Sequence, residues 1–139
     1  MILLDTNVLS ALMQREPDPT VVAWLDAQPA ESIWTTAITI SEVQTGLKLL
    51  QPGRRRVQLE KAFEQLLTEE LDGRVQSFDR TAALEAGAIA ATRQRAGLTM
   101  EVRDVEIAGI AVARRASLAT RNIRHFADIG VDLVDPWAG

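Results

Sequence analysis

Met1-Ile2-Leu3-Leu4-Asp5-Thr6-Asn7 joins four apolar residues to a carboxylate and two small polar side chains. An apolar run with no polar residue alternating along it fits a strand buried on both faces, as in a parallel sheet covered by helices. Such a strand delivers Asp5 at its C-terminal end, the edge where open α/β sheets form their ligand crevices.

Outward from this strand, helical and strand patterns alternate. Asp5 or Thr6 can cap a short helix over Val8 to Met13, and Asp18-Pro19 is a start signal for a helix from Thr20 to Ala27. Ser32 to Thr35 predicts a second strand. Thr39-Ile40-Ser41-Glu42 has the spacing of a capping box and predicts a helix to about Leu50, stopped by Pro52-Gly53. Arg54 to Leu71 follows as an amphipathic helix. Val75 to Phe78 predicts a third strand, and Asp79 can cap an alanine-rich, closely packing helix from Thr81 to Arg95, closed by Gly97. A helix beginning at Asp104 and covering Val105 to Arg115, a strand over Ser117 to Thr120, a short helix from Asn122 to Asp128 and a strand over Val131 to Val134 complete the chain. The sum is an α/β fold, a central parallel sheet of four or five strands with helices on both faces.

The 139 residues suit a single domain over 1–139, able to remove about 70% of its unfolded surface from water. The absence of cysteine excludes disulfides, thiolate zinc sites and cysteine nucleophiles, and a single histidine, His125, excludes a histidine-rich metal site. The N-terminus lacks a basic region, and the most apolar later stretch, Val105 to Ala113, is broken by Glu106 and too short for a bilayer. No membrane association and a cytoplasmic location are therefore expected. A net charge of −4 argues against nucleic-acid binding through overall charge. Arginines nevertheless gather at 54–56, at Arg93 and Arg95, and at Arg114, Arg115, Arg121 and Arg124.

Asp5, Glu42 and Asp104 each admit a purely structural role, as a helix cap, as the capping-box partner of Thr39, or as a first-turn acid favoured by the helix dipole. Jointly they admit another. A parallel sheet could gather all three at one edge, where their mutual repulsion calls for a cation. Oxygen donors without sulfur or imidazole favour Mg²⁺, with Mn²⁺ as a substitute. Thr6, Asn7, Thr120 and Asn122 could orient these carboxylates or bound water. Arg121 and Arg124 follow the strand that should end near the acids and are candidate phosphate contacts. His125 beside Phe126 could touch substrate, although a lone histidine is more often structural. Phosphatases that form an aspartyl-phosphate need an acid two residues after the nucleophile, and position 7 is Asn. No glycine-rich phosphate loop or serine-hydrolase elbow is present.

Leu4-Asp5-Thr6-Asn7-Val8-Leu9, Thr36 to Val43 followed by Gly46, Asp104 with Ile107-Ala108-Gly109-Ile110-Ala111, Ala119-Thr120-Arg121-Asn122 with Phe126, and the closing Pro136-Trp137 together resemble the PIN-domain ribonucleases. The resemblance is closer still to the VapC-type toxins of VapBC toxin–antitoxin systems. It implies a three-layer α/β/α domain with metal-binding, catalytic acids at Asp5, Glu42 and Asp104. It also implies Mg²⁺- or Mn²⁺-dependent hydrolysis of RNA, with tRNA or rRNA as the expected substrate. A homodimer, a larger toxin–antitoxin assembly and inhibition by a VapB-type antitoxin are further implications. The family pattern often carries a fourth acid where Asn122 stands here, and another at His125. Asn122 therefore sustains an alternative, a catalytically inactive PIN-like module that binds RNA or protein.

Overall fold

The computed structural model describes residues 1–138. Five strands, β1 (Ile2–Leu4), β2 (Ile33–Thr36), β3 (Val75–Gln76), β4 (Ser117–Ala119) and β5 (Asp132–Val134), form one sheet in the order β3-β2-β1-β4-β5. All pairings are parallel; Leu3 lies opposite Trp34 on one side and Leu118 on the other. The central strand is enclosed from both faces, with Leu3 and Leu4 essentially inaccessible, as its uninterrupted apolar run requires.

Because successive strand residues point to opposite faces, Leu3 and Leu4 enter different cores. Leu4, Ile33 and Ala119 pack with α1 (Thr6–Met13), α2 (Pro19–Asp26), α3 (Ala37–Leu49) and α4 (Arg54–Gln65). Leu3 and Leu118 pack with α5 (Arg80–Arg95), α6 (Val102–Arg114) and Phe126 of a 3-10 turn, Ile123–Phe126. The result is a three-layer α/β/α domain. No helix among the described residues is long and apolar enough to cross a membrane.

Several expected caps are realised. Asp18 accepts from the Thr20 amide and Asp79 from the Ala82 amide, each satisfying an orphan donor of a first helical turn. The expected capping box is not. The cap of α3 is Thr36, whose hydroxyl accepts from the Thr39 amide at 3.0 Å, so β2 runs to Thr36 and the helix is capped three residues earlier than the Thr39 box predicts. Thr36 is itself a capping residue, and burial of Thr39 makes it an inward helical position rather than an N-cap. Glu42 consequently lies in the second turn of α3. Likewise α6 begins at Val102, with Asp104 inside its first turn. The long amphipathic helix is α4 continued by a π-helical turn, Leu66–Glu70, and β3 ends at Gln76 rather than Phe78.

Alanine and glycine bring α5 and α6 into close contact. A Cβ on Gly109 would lie 2.5 Å from the Ala82 carbonyl oxygen and 2.7 Å from the Ala86 methyl. That approach fixes α6, and with it Asp104, against the sheet.

Candidate active site

The chain leaves β1 toward the α1 face and leaves β4 toward the opposite face, where Phe126 is buried. The C-terminal ends of β1 and β4 thus flank a topological switch point, the place where an α/β sheet opens a crevice. Asp5 stands at its floor. Its amide donates to the Ala119 carbonyl at 3.0 Å, extending the β1–β4 ladder by one bond. Its carboxylate accepts from the Thr6 amide at 2.8 Å and from the Thr120 hydroxyl at 2.7 Å. Asp5 is therefore the N-cap of α1, and the same carboxylate is the buried acid at this edge of the sheet.

Thr6, Asn7 and Thr120 brace the acids. The Thr6 hydroxyl donates to Glu42, joining α1 to α3. Asn7 donates to Thr120 at 3.2 Å and more weakly to Asp5 at 3.4 Å, while its amide oxygen accepts from the Arg121 backbone at 3.0 Å. The Thr120 hydroxyl also receives the Asn122 amide at 3.0 Å. A shared set of small polar side chains thus fixes the end of β1, the end of β4 and the flank of α3.

Asp5 is the electrostatic centre. Burial raises its carboxyl above the ordinary range; the bonds from Thr120 and Thr6 oppose that shift, and the charge of Glu42 adds to it. Burial, followed by the charges of Asp5 and Glu101, pushes Asp104 up to about 6, with His125 acting in the opposite direction. Nδ1 of His125 lies 3.3 Å from the Asp104 carboxylate. Arg103 lies 3.7 Å from Glu42. The charge of Glu42 acts on Asp5 and that of Asp5 on Asp104, yet among the described residues no group of three or more acidic or imidazole side chains converges on one point as a formed metal cage. The donors still suit a hard divalent cation: oxygen ligands only, two of them held toward protonation by burial and like charge, which a cation would relieve.

Arg103 was not singled out from the sequence, and the partner of His125 could not be named there. The signal for Arg103 was only its position beside Asp104. Other arginines serve the fold: Arg74 binds the Ile33 carbonyl, Arg93 the Ala127 carbonyl, and Arg114 bonds Gln76 and Asp79. Asn122 and Arg124 are exposed, and neither side chain makes a hydrogen bond or ion pair among the described residues. Arg121 is also exposed, with its guanidinium over the ring of Trp137.

Comparison with known proteins finds that the family model described as PIN domain matches residues 2–131. The chain is 38% identical over 137 residues to the VapC ribonuclease Y4jK of Sinorhizobium fredii, covering 99% of this chain and 98% of the relative. It is 34% identical to toxin FitB of Neisseria gonorrhoeae, covering 99% of each. The crystal structure of FitAcB from the same organism superposes with a TM-score of 0.88 at 34% identity, covering 99% of both chains.

Proposed function

The chain belongs to the PIN-domain family, and from that membership and the carboxylates at the β1–β4 crevice we propose that it is a divalent-metal-dependent endoribonuclease, the toxin of a type II toxin–antitoxin pair. The observation that carries this reading is Asp5, a buried carboxylate with hydrogen bonds from two elements and sensitive to the charge of Glu42, while its own charge acts on Asp104. Asp5 and Asp104, with Glu42 directly or through water, would hold Mg²⁺ or Mn²⁺. When bound, such an ion supplies an activated water for phosphodiester hydrolysis and neutralises phosphate charge.

The protein's own groups provide orientation and charge. Thr120 and Asn7 hold the Asp5 carboxylate, and Thr6 holds Glu42, so these oxygens meet a ligand with little rearrangement. Arg121 and Arg124, both exposed, are the proposed contacts to RNA phosphates, for which a guanidinium offers planar, charge-assisted donors. tRNA or rRNA is the proposed substrate, acted on by a homodimer.

A cognate antitoxin is the proposed inhibitor, supported by a relative that is a toxin in name. An open groove of about 590 Å³ between α1, α2 and α4, with Leu12, Val22, Leu25, Ala62 and Leu66 in its walls, suits an apolar antitoxin segment. A basic residue of that segment could compete with the metal at the acids. Neutralising it while preserving binding should restore cleavage.

Cleavage of a total-RNA and tRNA panel with Mg²⁺ or Mn²⁺ tests the nuclease. Cutting should stop with EDTA and in an Asp104→Ala protein; metal-dependent cutting retained by an Asp5→Ala, Asp104→Ala double variant would sink the assignment. The exposed amide of Asn122 favours a second reading, an inactive RNA- or protein-binding module. RNA binding by folded, metal-loaded protein without cleavage under either ion supports that alternative.

A further inference from the structure

Arg121 follows β4 and is tied to the site through its backbone, and among the described residues no acid claims it: its side chain has neither an ion pair nor a hydrogen bond. An aromatic ring holds it instead. Its guanidinium carbon lies 4.8 Å from the centroid of Trp137, within the range of a cation–π contact. Both partners are anchored through their backbones. The Arg121 amide donates to Asn7, which also bonds Asp5, and the Trp137 amide donates to the Asp135 carboxylate at 2.9 Å. Parallel pairing of Ala119 with Val134 brings the segments after β4 and β5 side by side. The Trp137 side chain rests on the α1-side core while remaining partly exposed.

We infer that Arg121 and Trp137 form a single-stranded nucleotide subsite flanking the carboxylate crevice, with the guanidinium taking a phosphate and the stacked pair offering a flat platform to an unpaired base. The chemistry follows from the two side chains. Arginine meets phosphate through a planar fork of donors, and both the guanidinium plane and the indole face stack on bases without demanding a particular sequence. Trp137 also acts as a positioning residue, because its ring holds the guanidinium at 4.8 Å over an apolar face instead of leaving it free in solvent. This assignment rests on the proposed action on RNA, but it concerns binding alone and does not require cutting.

The test is fluorescence anisotropy with a labelled single-stranded oligouridylate in EDTA, so that hydrolysis does not enter the readout. Arg121→Gln should weaken binding about tenfold and reduce the slope of log affinity against log salt by about 0.7, the contribution of one phosphate contact on a single strand. Arg121→Lys should keep that slope while losing part of the affinity. Trp137→Leu, which retains apolar bulk, should weaken binding about tenfold with the slope unchanged, and should lose the tryptophan quenching seen when the oligonucleotide is added. Unaltered thermal unfolding temperatures separate these effects from loss of fold. Wild-type affinity and salt slope in Arg121→Gln, full affinity in folded Trp137→Leu, or no saturable binding by the wild type would overturn the subsite. Arg121 is exposed, so its variants test the inference even if Trp137→Leu fails to fold. Failure to cut RNA, with these binding differences intact, would count against the nuclease and leave the subsite standing.

Discussion

Replacing Asp104 with Asn should make the metal-free protein more stable at neutral pH, because it removes a carboxylate ionised against its surroundings. The Asp104 side chain is 15% exposed. Burial first, and the charge of Asp5 second, push its carboxyl from 3.8 up to about 6. An acid displaced upward binds its proton more tightly in the folded than in the unfolded protein, so ionisation opposes folding. The penalty is absent below 3.8, where both states are protonated; it grows as pH rises toward about 6 and is constant above. The whole displacement corresponds to roughly 3 kcal/mol. Residual solvation and loss of the 3.3 Å contact with His125 reduce the expected gain for Asn to about 1–2 kcal/mol. For a domain of this size that is a rise of roughly 3–8 °C in Tm. Thermal and urea unfolding of both proteins in EDTA, at pH 7 and again near pH 4, measures it. Equal stability at pH 7, or an advantage undiminished near pH 4, would refute the assignment of Asp104 as a strained carboxylate.

Asp5→Asn keeps one oxygen, for the Thr6 amide, and puts an NH₂ where the Thr120 hydroxyl and Asn7 amide donate, so the fold should persist with some loss of stability while removal of the charge lowers RNA cleavage roughly 10³-fold or more; circular dichroism and a gel-based cleavage assay read the two effects. Arg103→Ala removes the cation 3.7 Å from Glu42 and should tighten Mn²⁺ binding by about threefold at low salt, with the difference shrinking at high salt. Calorimetric titration in both buffers decides this, and a salt-independent difference would count against a charge effect. Gly109→Ala places a methyl carbon 2.5 Å from the Ala82 carbonyl and should cost about 2–3 kcal/mol as α5 and α6 separate. Urea unfolding with an unchanged midpoint would show that the helices accommodate it freely.

Local rules made much of this domain legible. The apolar run at Ile2–Leu4, the caps at Asp18 and Asp79 and the helix patterns depend on residues within a turn of one another, so one sequence suffices to read them. Where local rules offered competing solutions the sequence misled. Thr36 and Thr39 could each cap α3, and the choice fell to Thr36 because β2 extends through it in register with Gln76. The acids were visible as candidates because each sits beside a strand end or helix start. Their grouping was visible only through the expected parallel order.

Sequence alone determined that the chain would alternate strand and helix, that its central strand would be buried on both faces, and that only oxygen ligands were abundant enough for a metal site. Tertiary structure decided which groups meet there. Thr120 reaches Asp5 across 115 positions, His125 faces Asp104, Arg103 approaches Glu42, and Trp137 lies beneath Arg121. These contacts follow from strand order, helix packing and side-chain direction. Residue periodicity specifies which face of an element is apolar, but not which distant element that face will meet.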